Sequence, residues 1–228
     1  MKFAALLKKE LRICLPWLLL SAVVFVVIGS IMMKGMVLIQ DYYINHQDVF
    51  REGWDWSTPR SPISEFAALI LITSLALGII LAVVQFFLPD LFGTWAFTIH
   101  RSIKPQAIIW SKFAAAGITF LISLGLFWTL FYSYAAVPGR FYLPVFFRTY
   151  LEGWIYIAAG LIAYWGTALS SISTAHIYTT RLLGMTVATG VIFFIVLQTS
   201  IAGAVIWAAG GACVLIVQIF HTFLTREF

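Results

Sequence analysis

Apolar residues in this chain come in long unbroken runs. Six of them, at about 15–33, 63–87, 108–134, 153–172, 182–199 and 201–223, approach or exceed the ~20 residues a helix needs to cross hydrocarbon. In hydrocarbon every backbone polar group must be satisfied within the protein, which leaves helices or a closed barrel. A barrel strand reads as a short segment of alternating polarity, and these runs do not alternate. Charged residues make up 10% of the chain, against roughly 25% in a soluble domain, so the surface has too little polarity for water. The expectation is an all-α polytopic membrane protein, a single unit over residues 1–228, with six transmembrane helices preceded by an N-terminal elbow helix.

The net charge of +5 first suggests a nucleic-acid partner, but the distribution of the charge fits topology better. With the N-terminus inside, Lys2, Lys8, Lys9, Arg12, Arg101, Lys104, Lys112, Arg181 and Arg226 fall on the cytoplasmic side. Lys34, Arg51, Arg60, Arg140 and Arg148 fall outside, together with Asp41, Asp48, Glu52, Asp55, Glu65 and Glu152. This is the positive-inside bias, and it puts both termini in the cytoplasm without calling for nucleic acid. The basic start followed by an apolar run resembles a secretory signal, but no small-x-small cleavage site follows in the right place. The first helix is therefore expected to be retained.

Residues 1–14 form an amphipathic segment by spacing. Phe3, Leu6, Leu7, Leu11 and Cys14 share one face, and Lys2, Lys8, Lys9 and Arg12 the other. Such a helix suits the headgroup layer, its lysines toward anionic membrane lipid, with Pro16 allowing a sharp elbow into the membrane. Glu10 lies within the apolar face. It either reaches water or pairs locally, or it is a buried partner for a basic group from 90–112 or from an associated subunit.

Residues 34–62 read as the larger outer loop, with Tyr42, Tyr43, Trp54 and Trp56 suited to the membrane boundary, and residues 135–152 as a second, aromatic outer segment. Ala159, Ala163, Thr167 and Ser171 recur at four-residue spacing, as do Ala204, Ala208 and Ala212, marking close helix–helix interfaces. Cys14 and Cys213 lie in or beside the spans and read as small buried apolar residues. Lys112 and Glu65, about a turn inside their helices, read as snorkelling. Gln85, Gln198 and Gln218 read as interhelical hydrogen-bond donors and acceptors.

Patterns for catalysis are missing from the sequence. It has no HExxH, no GxSxG and no GxxxxGK[ST], and His46, His100, His176 and His221 have no metal-ligand spacing. The expectation is a non-enzyme with no cofactor or metal of its own.

The polar interruption between the second and third runs, residues 88–107, carries the most specific signal. Asp90, Gly93-Thr94, an apolar stretch from Trp95 to Ile99, then His100-Arg101-Ser102-Ile103-Lys104, and Lys112 opening the next span, resemble the ABC-2 type permease family. That family has a proline where Ser102 stands; here a proline comes later, at Pro105. The KKELR run before the first span resembles the family's elbow helix, with Glu10 and Arg12 in it. The resemblance implies a permease subunit of a bacterial cytoplasmic-membrane exporter. It would be paired with a second permease chain, identical or different, and docked on a separate P-loop ATPase that holds the ATP and magnesium. Residues 88–107 would be the cytoplasmic coupling segment, with Asp90, Arg101 and Lys104 as polar contacts. Phe92, Trp95 and Phe97 would be its apolar anchors, and Gly93-Thr94 part of the motif. The alternative is a non-transporting structural or assembly subunit of a larger membrane complex, which small-residue stripes and scarce buried charge suit equally well.

Overall fold

The structure, a computed structural model, describes residues 2–45, 62–93, 104–137, 145–173 and 182–225. Helix α1 spans Lys2–Asn45. Helix α2 runs over Pro62–Ala82 and continues through a π-helical turn, Val83–Phe87, into Leu88–Leu91. Helix α3 is built the same way, from Pro105–Phe120 through the π-helical turn Leu121–Leu126 to Phe127–Ala135. Helices α4 (Phe147–Ile172), α5 (Leu183–Leu197) and α6 (Ile201–Thr225) follow. All but α5 are long and apolar enough to cross a membrane. The 182–199 run becomes a helix of 15 residues, about 22 Å long against a hydrocarbon thickness of about 30 Å.

Apolar side chains make up most of the core and also cover much of the outer surface. Leu15, Leu19, Leu20, Val23, Val27 and Ile31 of α1, and Val205, Ile206, Val214 and Val217 of α6, are exposed. Glu10, Ser74, Gln85, Ser111, Lys112, Thr119 and Ser123 are buried. In water that outer surface would leave a large apolar area unburied. In lipid the outer leucines cost nothing, and the polar groups gather where other protein groups can bond them. Among the described residues the chain is all-helical, with five helices long and apolar enough to span a membrane.

Two of the expected boundaries move. The helix does not break at Pro16, which sits inside α1. On the turns before it, Leu6, Leu7, Leu11 and Cys14 pack into the core. The apolar face assigned to the headgroup layer therefore faces protein. The 44 residues of α1 span about 66 Å, so its C-terminal turns take up residues 34–45 of the expected outer loop. Likewise α4 begins at Phe147, inside the segment assigned to 135–152. Residues 46–61, with Trp54 and Trp56, lie outside the described residues.

Helix α4 is the most enclosed span, and its small residues are the reason. Ala159, Ala163, Thr167 and Ser171 are all buried, as expected. At Gly78 of α2 and Gly160 of α4 the backbones meet: a Cβ at position 78 would fall on the Gly160 carbonyl, and one at 160 would lie 2.6 Å from the Ser74 carbonyl oxygen. The crossing is bonded as well, since the Ser74 hydroxyl donates to the Tyr156 carbonyl at 2.7 Å. Gly166 and Gly184 bring α4 and α5 together in the same way, and there the Met185 amide donates to the Ser170 hydroxyl at 3.0 Å. Of the second stripe, Ala204 is buried and Ala208 packs against the core.

The core divides along the bundle axis. Toward the C-terminal end of α3 it is aromatic: Phe66 lies 5.2 Å from Phe25, 5.3 Å from Phe131 and 5.7 Å from Trp128, ring centre to ring centre. The Trp128 indole N–H is satisfied there by the Tyr150 carbonyl at 3.0 Å. Toward the opposite end, next to the 92–104 connection, the core is polar.

Candidate functional site

That polar end is built on a proline. Pro89 has no amide hydrogen, so it offers nothing to the Gln85 carbonyl four residues earlier. The helix around Gln85 is already widened into a π turn, closed by the Leu88 amide on the Val83 carbonyl. Such turns inside α-helices are frequent at functional sites. The Gln85 carbonyl instead accepts from the Lys112 ammonium of α3 at 2.8 Å.

The same ammonium donates to both carboxylate oxygens of Glu10 in α1, at 3.2 Å each. Glu10 is 3% exposed and Lys112 5%, so neither charge reaches water. Lys112 Nζ also lies 5.4 Å from the centre of the Phe86 ring, where the ring face attracts a cation. The Gln85 side chain completes the cluster in two directions. Its amide donates to Cys14 Sγ in α1 at 3.0 Å, and its oxygen accepts a short hydrogen bond from the Tyr164 hydroxyl of α4. Residues of α1, α2, α3 and α4 thus meet at one buried point. The aromatic wall is shared too: Phe86, Phe113 and Tyr164 stand 6.1–6.5 Å from one another.

The bonds of Glu10, Gln85, Lys112 and Tyr164 run from one helix to another. Among the described residues no group of His, Cys, Asp and Glu could hold a metal ion. What the arrangement can do is mechanical: it fixes the end of α2 and the start of α3, the two helices that flank the 92–104 connection, to each other and to α1 and α4.

The residues assigned to the coupling segment are placed as follows. Asp90 lies in the last turn of α2 and Phe92 is 71% exposed just beyond it. Gly93 has φ +64°, a left-handed conformation that glycine adopts without cost at a helix C-terminus; its amide closes on the Asp90 carbonyl at 3.1 Å. Lys104 precedes α3, exposed and extended, with Pro105 opening the helix. Thr94, Trp95, Phe97 and Arg101 lie outside the described residues. Arg12 is exposed on α1, on the side away from Glu10.

Three sequence expectations are corrected here. Lys112 does not snorkel; its position seven residues into α3 is turned toward Glu10 and held there. Gln85 links helices as expected, but Gln198 and Gln218 lie on the exposed surface. Cys14 is buried, whereas Cys213 is exposed on α6. Tyr164 was missed, because a lone tyrosine within an apolar run carries no signal of its own.

Compared with protein-family models, curated proteins and solved structures, the chain matches none.

Proposed function

We propose that this chain is the permease subunit of an ATP-driven ABC-2 type exporter, working as a dimer with a separate P-loop ATPase. The motif resemblance at residues 90–112 suggests the class. The single structural observation that favours it is the buried cluster joining Glu10, Gln85, Lys112 and Tyr164 at the ends of α2 and α3 that flank the segment the ATPase would seat.

In this reading ATP binding closes the ATPase pair and displaces the connection, with Trp95, Phe97 and Arg101 as the contacts to the partner and Lys104 at the root of α3. A displaced connection pulls on the end of α2 and the start of α3. Because Lys112 bonds the Gln85 carbonyl, the two ends move as one. Glu10 passes the motion to α1, whose first turns stand where the family has its elbow helix, and Tyr164 passes it to α4. Packed helices respond by shifting between discrete arrangements rather than by bending continuously. The reading has α5 complete a sixth crossing, with both termini in the cytoplasm of a bacterial inner membrane.

Labelling with a membrane-impermeant maleimide in a Cys213→Ser background tests the orientation this requires. Arg51→Cys reacts in intact cells, and Arg101→Cys reacts only after permeabilisation. Labelling of position 101 from outside would sink the proposal, since a soluble cytoplasmic ATPase could not reach the segment.

A further inference from the structure

A groove of about 460 Å³ opens at the polar end of the bundle, between the first turn of α1 and the outward side of α3. Its lining is Phe3, Lys104, Gln106, Ala107, Trp110 and Ala114. The polar and apolar parts are separated along the helix. Lys104 and Gln106 form the rim at the start of α3, and Ala107, Trp110 and Ala114 follow along one stripe further in. Trp110 is 52% exposed, yet it is braced from behind by Phe113 at 6.1 Å and by Phe220 of α6 at 5.3 Å, centre to centre. The floor is therefore a fixed wall rather than a loose side chain.

With α3 as a membrane span, its length runs across the bilayer, and the groove's change from cationic to apolar runs from headgroup level into hydrocarbon. A tryptophan at that level suits the interface. The charge at the rim is one-sided: Lys104 is exposed there, while the carboxylate of Glu10 on α1 is already occupied by Lys112. A shallow, open groove with a cation at one end and apolar side chains at the other matches one class of occupant in charge and polarity. We infer that the groove binds an anionic phospholipid, its headgroup phosphate on Lys104 and Gln106 and an acyl chain along Ala107, Trp110 and Ala114. This inference needs only the membrane placement of α3 and stands apart from the exporter reading.

The test uses the full chain in phosphatidylcholine vesicles doped with brominated phosphatidylglycerol or brominated phosphatidylcholine. Quenching at Trp110 is read as the difference between the wild type and Trp110→Phe. Half-quenching is expected at about fivefold lower mole fraction of the anionic lipid, the contribution of one lysine at a membrane surface. Lys104→Gln, an exposed change that leaves the core alone, removes the preference. Native mass spectrometry gives a second readout free of the tryptophan variant: the wild type retains phosphatidylglycerol where Lys104→Gln does not. Equal quenching by both lipids, or a preference that survives Lys104→Gln in either readout, overturns the inference. So does loss of the preference on adding inorganic phosphate, which would mark a phosphate site instead of a lipid site.

Discussion

Replacing Lys112 by methionine lowers the unfolding free energy of the purified protein by about 3–5 kcal/mol, because Glu10 is then left buried, charged and unpartnered. Glu10→Met costs a similar amount by stranding the ammonium. The double replacement Glu10→Met with Lys112→Met recovers most of the loss, since two thioether side chains of comparable length fill the site without desolvated charge. Recovery stays incomplete because the Gln85 carbonyl loses its bond from Lys112, a loss of about 1 kcal/mol. Denaturant titration in mild detergent measures all three variants. Single replacements within about 1 kcal/mol of wild type would mean that water reaches the pair and that no buried cluster exists.

The second large effect lies at the α2–α4 crossing. Gly160→Leu destabilises the bundle by about 3 kcal/mol or more, at the upper end of overpacking costs. The reason is what the new side chain would meet: the carbonyl of Ser74 and the ring of Phe120, a backbone atom and a buried ring with nowhere to retreat. Gly78→Leu behaves alike, against the Gly160 carbonyl. Gly117→Ala is the contrast, since a Cβ there meets nothing within 4 Å. That change gains about 0.5–1 kcal/mol from helix propensity alone. Melting followed by size-exclusion chromatography separates these outcomes. A Gly160→Leu protein as stable as wild type would show that the two backbones do not touch.

Much of this architecture could be read from the chain because lipid leaves so few options. Long apolar runs mark the helices, and the small residues of α4 announce its close neighbours, since only small side chains let backbones approach. Glu10 stood out by falling in the apolar face of its helix, which is where a buried partner belongs. Its partner was harder to see. Lys112 is close enough to a helix end to snorkel, and only the packing of α1 along α3 decides that it turns inward instead. Gln85 was legible as a polar residue within a span, but its carbonyl's part was not, because that depends on the π turn together with Pro89. Tyr164 gave no hint at all: tyrosine fills space in an apolar span as readily as it donates a hydrogen bond. At Pro16 the boundary moved for a related reason: a proline permits a break without requiring one, and α1 continues through it.

The exporter reading has its most direct test in affinity purification of the tagged chain from membranes in mild detergent. The account predicts a stoichiometric P-loop ATPase in the complex, lost when Arg101→Glu and Trp95→Ala are introduced while the variant still elutes as a folded membrane protein. Recovery of other membrane subunits without any ATPase would contradict it and leave a structural role in a larger assembly.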